Sequence, residues 1–570
     1  MKYPFWNLIF FAFLSFQVFS QNPSKALDQV IEKVDDHEGY DQKAYPLGLY
    51  TEEYYKNEAE FAQERLKELE KINKADLSET ETISAELLRY KLQETVDFYE
   101  YEAYLNPLLS DAGFHVSLPY HVRDFSNYKQ VKEYLDKLNA IPAYVDQHLV
   151  LLRKGIKNGI LQPAVIFEGY ESTYNDQLVD DPKESYYYSP LLNLPSILTQ
   201  KQKDSVLAAA EIAVSKNVIP QFGRIKVFFE KEYLPAARKS IGVSEAPRGR
   251  EYYQNRLNYY TTLDLSAEEI HQMGLEEVAR INAEMKKIIA EVEFEGSFED
   301  FIHYLRTDEQ FYAETGEELL KEARDISKRI DAQLPAYFKT LPRRPYGVAP
   351  VPDAIAPKYT TGRYIGGGDD TQPGYYWVNT YNLSNRPLYV LPALTAHEAV
   401  PGHHLQISLN GELGDSIPKF RRNFYLSAFG EGWGLYSEAL AEEMGIYRTP
   451  YERFGKLTYE QWRAGRLVVD TGIHAMGWTR EQAVEFLRSN TALSMHNINT
   501  EVDRYISWPG QAVSYKIGEM KIRELRKKAE EALGTNFNIR EFHEVILEQG
   551  TVTLPIMEER VEAYIERSLK

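Results

Sequence analysis

The stretch Thr395-Ala-His-Glu-Ala-Val-Pro-Gly-His-His-Leu-Gln406 constrains this chain more than any other. Of the chain's 12 histidines, three fall between positions 397 and 404, together with a glutamate. In a zinc-hydrolase H-E-x-x-H motif, histidines at i and i+4 share a helix face and grip the ion, and the glutamate at i+1 handles a water. His397 and Glu398 open such a motif, but i+4 is Pro401. The next histidines stand at i+6 (His403) and i+7 (His404). At about 100° per residue a regular helix brings i+7 nearly over i, but roughly 10.5 Å further along the axis. That is a long span for two imidazoles each about 2.1 Å from one ion. Proline removes a helical N–H, and glycine permits unusual backbone angles. A two-residue bulge at Pro401-Gly402 would return His403 to the place of the second histidine. The expected pair is His397 and His403, with His404 the alternative. The competing reading is a kinked core helix carrying buried, hydrogen-bonded histidines.

A zinc site also needs a third protein ligand and an open position for water. Phe429-Gly-Glu-Gly-Trp-Gly-Leu-Tyr-Ser-Glu438 supplies Glu431 and Glu438, at i and i+7 on one helix face. Their neighbours are too apolar and too glycine-rich for a plain solvated face. Glu431 is the expected third ligand and Glu438 the expected support behind the ligands.

These segments, with RYISWPGQAVSYKIG (504–518) and YYTTLDLSAEEIHQMGLEEV (259–278), resemble the bacterial family called domain of unknown function 885. That family is similar to the zincin metallopeptidases, and the order of motifs also resembles the helical peptidases of the thimet-oligopeptidase type. The resemblance covers most of the chain after the N-terminus and is strongest from about Tyr252 onward. It implies a mostly α, large helical zincin-like metallopeptidase fold, with a small β-sheet next to the metal-binding helix. It also implies tyrosines near the C-terminus that hydrogen-bond the tetrahedral intermediate. By position these are Tyr515 and, as a second candidate, Tyr505.

Composition limits the alternatives. A net charge of −20 argues against nucleic acid as a partner, because phosphate binding needs basic patches. The chain has no cysteine, which removes disulfides, thiol catalysis, cysteine–zinc sites and a lipid-modified N-terminal cysteine. Metal ligation must then use His, Glu or Asp. Residues 1–20 read as a secretory signal, with Lys2 in a short basic region, an apolar core from Leu8 to Leu14, and small-residue cleavage positions at Val18-Phe-Ser20. The expectation is a periplasmic or extracellular protein with no stable membrane insertion after signal removal.

Residues 21–240 read as an N-terminal helical part, and 241–570 as a catalytic part continuous with it. In the first part Pro107, Pro119 and Pro142 punctuate the pattern. In the second, Ser266 and Glu269 form a capping box, followed by Ile270, Met273, Ile281, Met285 and Ile288 at helical intervals. His271, on that helix, reads as structural. Between residues 343 and 394 prolines and glycines multiply, and Tyr375–Tyr381 alternates like a short strand. That segment is the candidate edge strand for pairing with extended substrate, with Tyr376 and Asn379 as supporting or substrate-facing residues. Gly366–Asp370 reads as a mobile loop.

The expected function is an exported zinc-dependent peptidase acting on short peptides. Zn2+ would sit on His397, His403 and Glu431, with Glu398 as general base and Tyr515 at the oxyanion. The alternatives are a zinc hydrolase of non-peptide amides or esters, and a non-catalytic peptide-binding protein on the same scaffold.

Overall fold

The structure, a computed structural model, describes residues 22–570 apart from 354, 357–358, 368–371 and 416. The expected signal segment and the centre of the Gly366–Asp370 loop lie outside the described residues. The molecule is mostly helical with one small three-stranded sheet.

Local signals account for many of the elements. Ser266 caps the Ala267–Glu291 helix, accepting from the Glu269 N–H while the Glu269 side chain accepts from the Ser266 N–H, the capping box read from the sequence. Ile270, Val278, Ile281, Met285 and Ile288 line its buried face, which packs along the Pro450–His474 helix. Gly274 lets the two helices close up, since a Cβ there would stand 2.7 Å from Leu467. One expectation fails in the N-terminal part. Pro142 does not punctuate the chain but lies inside the Tyr128–Asn158 helix. Ile141, Tyr144, Val145 and Leu149 are buried around it, and this packing outweighs the one lost backbone bond.

Two large apolar clusters hold the chain together. One gathers Ile270, Ile326, Ala396, Leu405, Trp433, Leu467 and Ile517 beneath the histidine motif. The other joins Tyr134, Leu149, Phe222 and Tyr233 from the N-terminal part to Val469, Ile473, Ile498 and Tyr505 from the C-terminal part. The chain on either side of residue 240 therefore shares apolar core.

The sheet consists of β1 (Tyr346–Pro350), β2 (Gly362–Ile365) and β3 (Gly374–Val378), in the order β1-β3-β2. β3 runs parallel to β1 and antiparallel to β2, with Tyr376 opposite both Val348 and Tyr364. This corrects the edge-strand expectation for Tyr375–Tyr381. That segment forms the middle strand, and its backbone groups are committed on both sides. The edge on the histidine side is β2.

Candidate metal centre

The histidine motif folds as two short helices, Leu391–Glu398 and His403–Gly411, joined by a bulge with a cis Val400–Pro401 peptide. Across the bulge the Gly402 N–H reaches back to the Ala396 carbonyl and the His404 N–H to that of Ala399, each at 3.0 Å. These are i−6 and i−5 bonds where a regular helix has i−4, so the extra residues are taken up with two backbone bonds closing across the bulge. Gly402 is required here because any side chain would collide with the His397 carbonyl. The fully buried Trp433 donates from Nε1 to the Pro401 carbonyl at 2.8 Å and pins the bulge.

The bulge turns His403, not His404, toward His397. Their ring centres are 4.7 Å apart with planes at 87°. Glu431, on the Ser427–Glu443 helix, places Oε2 3.5 Å from the Nε2 atoms of both histidines. One donor atom from each of the three residues lies within 4.8 Å of the others. Two ligands about 2.1 Å from a tetrahedral ion stand roughly 3.4 Å apart, so the set fits one small cation. His404 faces the sheet instead, held at Nδ1 by the Tyr364 hydroxyl at 3.0 Å and by Ser408 at 3.2 Å. Burial lowers its pKa to about 4.

Glu438 stands behind the set. His397 Nδ1 donates to its Oε1 at 2.8 Å, so Nε2 is the ring nitrogen turned toward Glu431. Gly434 makes room for that ring, since a Cβ there would lie 2.7 Å from it. Burial works against a charged His397, but Glu431 and Glu438 outweigh it and raise its pKa to about 10. Burial likewise opposes the Glu431 charge, yet the two histidines hold its pKa well below the usual carboxylate range. His403 has no such backing among the described residues, where its Nδ1 is buried without a partner.

Glu398 follows His397 and is partly exposed. Its Oε2 accepts the Tyr364 backbone N–H at 2.8 Å, from the edge of β2 that β3 does not use. Its Oε1 makes no hydrogen bond among the described residues.

Tyr425 had no distinguishing signal in a chain with 42 tyrosines. Its hydroxyl donates to Glu431 Oε1 at 2.9 Å, so that Oε2 faces the histidines. The side chain is 44% exposed. Burial, then the Glu431 charge, raise its pKa well above the usual tyrosine value, and the Tyr515 phenol adds to the effect. Tyr515 thus neighbours the ligand set through Tyr425. Its ring lies under the Arg466 guanidinium at 4.5 Å, and its hydroxyl makes no hydrogen bond among the described residues.

The remaining expected residues face elsewhere. Tyr505 is buried, donating to Glu501 at 2.6 Å and accepting from Trp462 at 3.0 Å and Arg466 at 3.1 Å. Its hydroxyl is committed to holding Arg466 and cannot serve an intermediate. Asn379 is fully buried and ties down the loop before β2, with Nδ2 donating among the carbonyls of Ala356, Tyr359 and Thr360. Tyr376 is fully buried, and its hydroxyl accepts from Thr395 at 3.4 Å. Both brace the site from within and neither faces a substrate. Further back, Asp470 accepts from the Tyr253 hydroxyl at 2.7 Å and from the Gly510 N–H at 3.1 Å, ordering the Trp508–Gly510 turn that leads to Tyr515.

Comparison with known proteins agrees with the family resemblance. The chain belongs to the bacterial proteins of unknown function grouped as DUF885, which match it over residues 37–561. It is similar to the crystal structure of a candidate lipoprotein from Colwellia psychrerythraea, at 26% identity and a TM-score of 0.87, covering 96% of this chain and 99% of that one. A candidate lipoprotein of unknown function from Shewanella oneidensis shares the fold, at 17% identity and a TM-score of 0.69, covering 94% of this chain and 98% of that one. Among curated proteins, none matches the sequence.

Proposed function

We propose that this DUF885 member is an exported zinc-dependent peptidase of zincin-like design. The observation that carries the reading is the convergence of His397, His403 and Glu431 at ligand spacing, with the Glu398 carboxylate fixed beside them by a backbone N–H.

The donor set of two imidazoles and a carboxylate is suited to Zn2+ with an open position. Bound there, zinc would lower the pKa of a water and polarise the scissile carbonyl. Glu398 takes the proton of the attacking water on Oε1 and passes it to the leaving amine. The Tyr364 N–H holds the other oxygen, so the base keeps one orientation through the reaction. Glu438 keeps His397 in the tautomer that offers Nε2, and Tyr425 keeps Glu431 turned toward the histidines. Tyr515, with its hydroxyl unbonded, is the donor proposed for the oxyanion. An extended peptide would pair along the outer edge of β2, and the surrounding helices favour short substrates. Export is supported by the apolar N-terminal segment and by the description of both solved relatives as lipoproteins. The 570 residues here carry no cysteine for a lipid, and among the described residues no helix is long and apolar enough to cross a membrane.

The test is cleavage of a mixed peptide library by zinc-loaded protein and by Glu398→Gln. The variant is expected to keep its metal and lose about 10²–10⁴-fold in turnover. Near-normal turnover by the variant would overturn the assignment of Glu398, and metal without any cleavage would overturn the peptidase reading.

A further inference from the structure

Two arginines, Arg463 and Arg386, make no ion pair among the described residues. Arg463, on the Pro450–His474 helix, is only 8% exposed. Its guanidinium lies 4.9 Å from the Tyr459 ring centre and 4.4 Å from that of Trp462. Among the described residues its one hydrogen bond is a 3.5 Å contact to the Tyr459 carbonyl, and Nε is buried without a partner. Glu501, an acid within its field, is already engaged by Arg466 at 3.0 Å, Arg504 at 3.5 Å and the Tyr505 hydroxyl at 2.6 Å. Arg386 is in the same condition. It donates from Nη1 to Thr361 Oγ1 at 3.3 Å, its Nε is buried and unpartnered, and it has no ion pair among the described residues.

The two belong to one place. The Leu388–Val390 turn just after Arg386 packs on the helix that carries Arg463, so closely that a Cβ on Gly455 would stand 2.1 Å from the Tyr389 carbonyl, one turn before Tyr459. Thr361, which Arg386 holds, immediately precedes β2, the strand whose outer edge carries the Tyr364 N–H bound to Glu398. Arg386 therefore stands at the start of the strand that holds the general base, with Arg463 on the helix packed beside it. Burying a guanidinium without a counter-charge is unfavourable, and a chain with 85 acidic residues does not lack acids to place there. A ligand that brings its own anion resolves this, and the planar fork of arginine matches a carboxylate.

We propose that Arg386 and Arg463 form a subsite for a carboxylate of the substrate, so that the preferred substrate is a short peptide anchored by that group beside the bond to be cut. The inference rests on the peptidase reading for its substrate class. The carboxylate is either the peptide's C-terminus or an acidic side chain, and one set of peptides separates the two.

Three versions of one short peptide are needed: a free C-terminal acid, the C-terminal amide, and the amide with glutamate as its last residue. Calorimetric binding to the zinc-free protein reads the subsite without turnover, and cleavage by the zinc-loaded protein reads the reaction. At least one carboxylate-bearing version is expected to bind tenfold or more tighter than the plain amide. Preference for the free acid alone identifies the terminus, and preference for the glutamate amide identifies a side chain. Arg463→Met, which breaks a single long hydrogen bond, and the more exposed Arg386→Met are each expected to abolish that preference without changing zinc content. Equal binding of all three peptides, or a preference that survives both substitutions, overturns the subsite. Cleavage of all three alike overturns the subsite and leaves the peptidase reading standing. A carboxylate preference in binding with no cleavage of any peptide keeps the subsite and overturns the peptidase reading.

Discussion

His403 and His404 are adjacent in sequence and differ in almost everything else. One points at Glu431 and His397, the other at Tyr364 and Ser408. The residues that decide between them are Pro401 and Gly402, whose types alone indicated a departure from helix geometry. What could not be read was Trp433, which pins the bulge, because its role depends on a contact between distant segments. Tyr425 was illegible for a similar reason, since nothing marks one tyrosine among many until the fold brings it to Glu431. Asp470 yields a prediction at this scale. Burial pushes its carboxyl up to about 7, above the ordinary carboxylate value of about 3.9 in the unfolded chain. The folded state therefore holds this proton more tightly. The resulting stability is full below about pH 4 and is lost as pH rises through about 7, on the order of 2–4 kcal/mol in all. Asp470→Asn can still accept from Tyr253 and Gly510 but has no proton to lose. Between pH 5 and pH 8 the melting temperature of the native protein is expected to fall by a few degrees more than that of the variant. Parallel pH profiles would refute this.

At the scale of elements, the glycines of the Gly430–Gly434 segment and of the Ser514–Leu533 helix explain how so apolar a stretch places Glu431 beside the two histidines. Gly432 and Gly518 meet where the two helices touch, and a Cβ on Gly432 would stand 2.6 Å from the Gly518 backbone. The Glu431 backbone is thus clamped against the helix that bears Tyr515. Gly518→Ala would drive a methyl into the Ala428 carbonyl and is expected to cost about 1–3 kcal/mol and to weaken zinc binding along with stability. Thermal unfolding and metal titration check both, and an unchanged melting temperature would count against this packing. The helix carrying Ile270 and Ile281 was legible because its capping box and apolar period are local. The order of strands was not. Alternation in Tyr375–Tyr381 marks a strand, but whether a strand lies at the edge or in the middle depends on partners elsewhere in the chain, here β1 and β2. Pro142 shows the same limit from the other side, a local helix breaker overruled by burial on the Tyr128–Asn158 helix.

At the scale of the whole molecule, the N-terminal part showed no chemistry in its sequence, and its contribution is core shared with the C-terminal helices around Val469, Ile473 and Tyr505. That shared core backs the Trp508–Gly510 turn and Arg466, and through them Tyr515. Both ends of the chain therefore contribute to the core behind the candidate site. Zinc content after equilibration and removal of excess, in the native protein, His403→Ala and His404→Gln, tests whether His397, His403 and Glu431 hold the metal. One zinc per chain is expected in the native protein and in His404→Gln, and its loss in His403→Ala. Zinc retained by His403→Ala, or absent from the native protein, would contradict that ligand set.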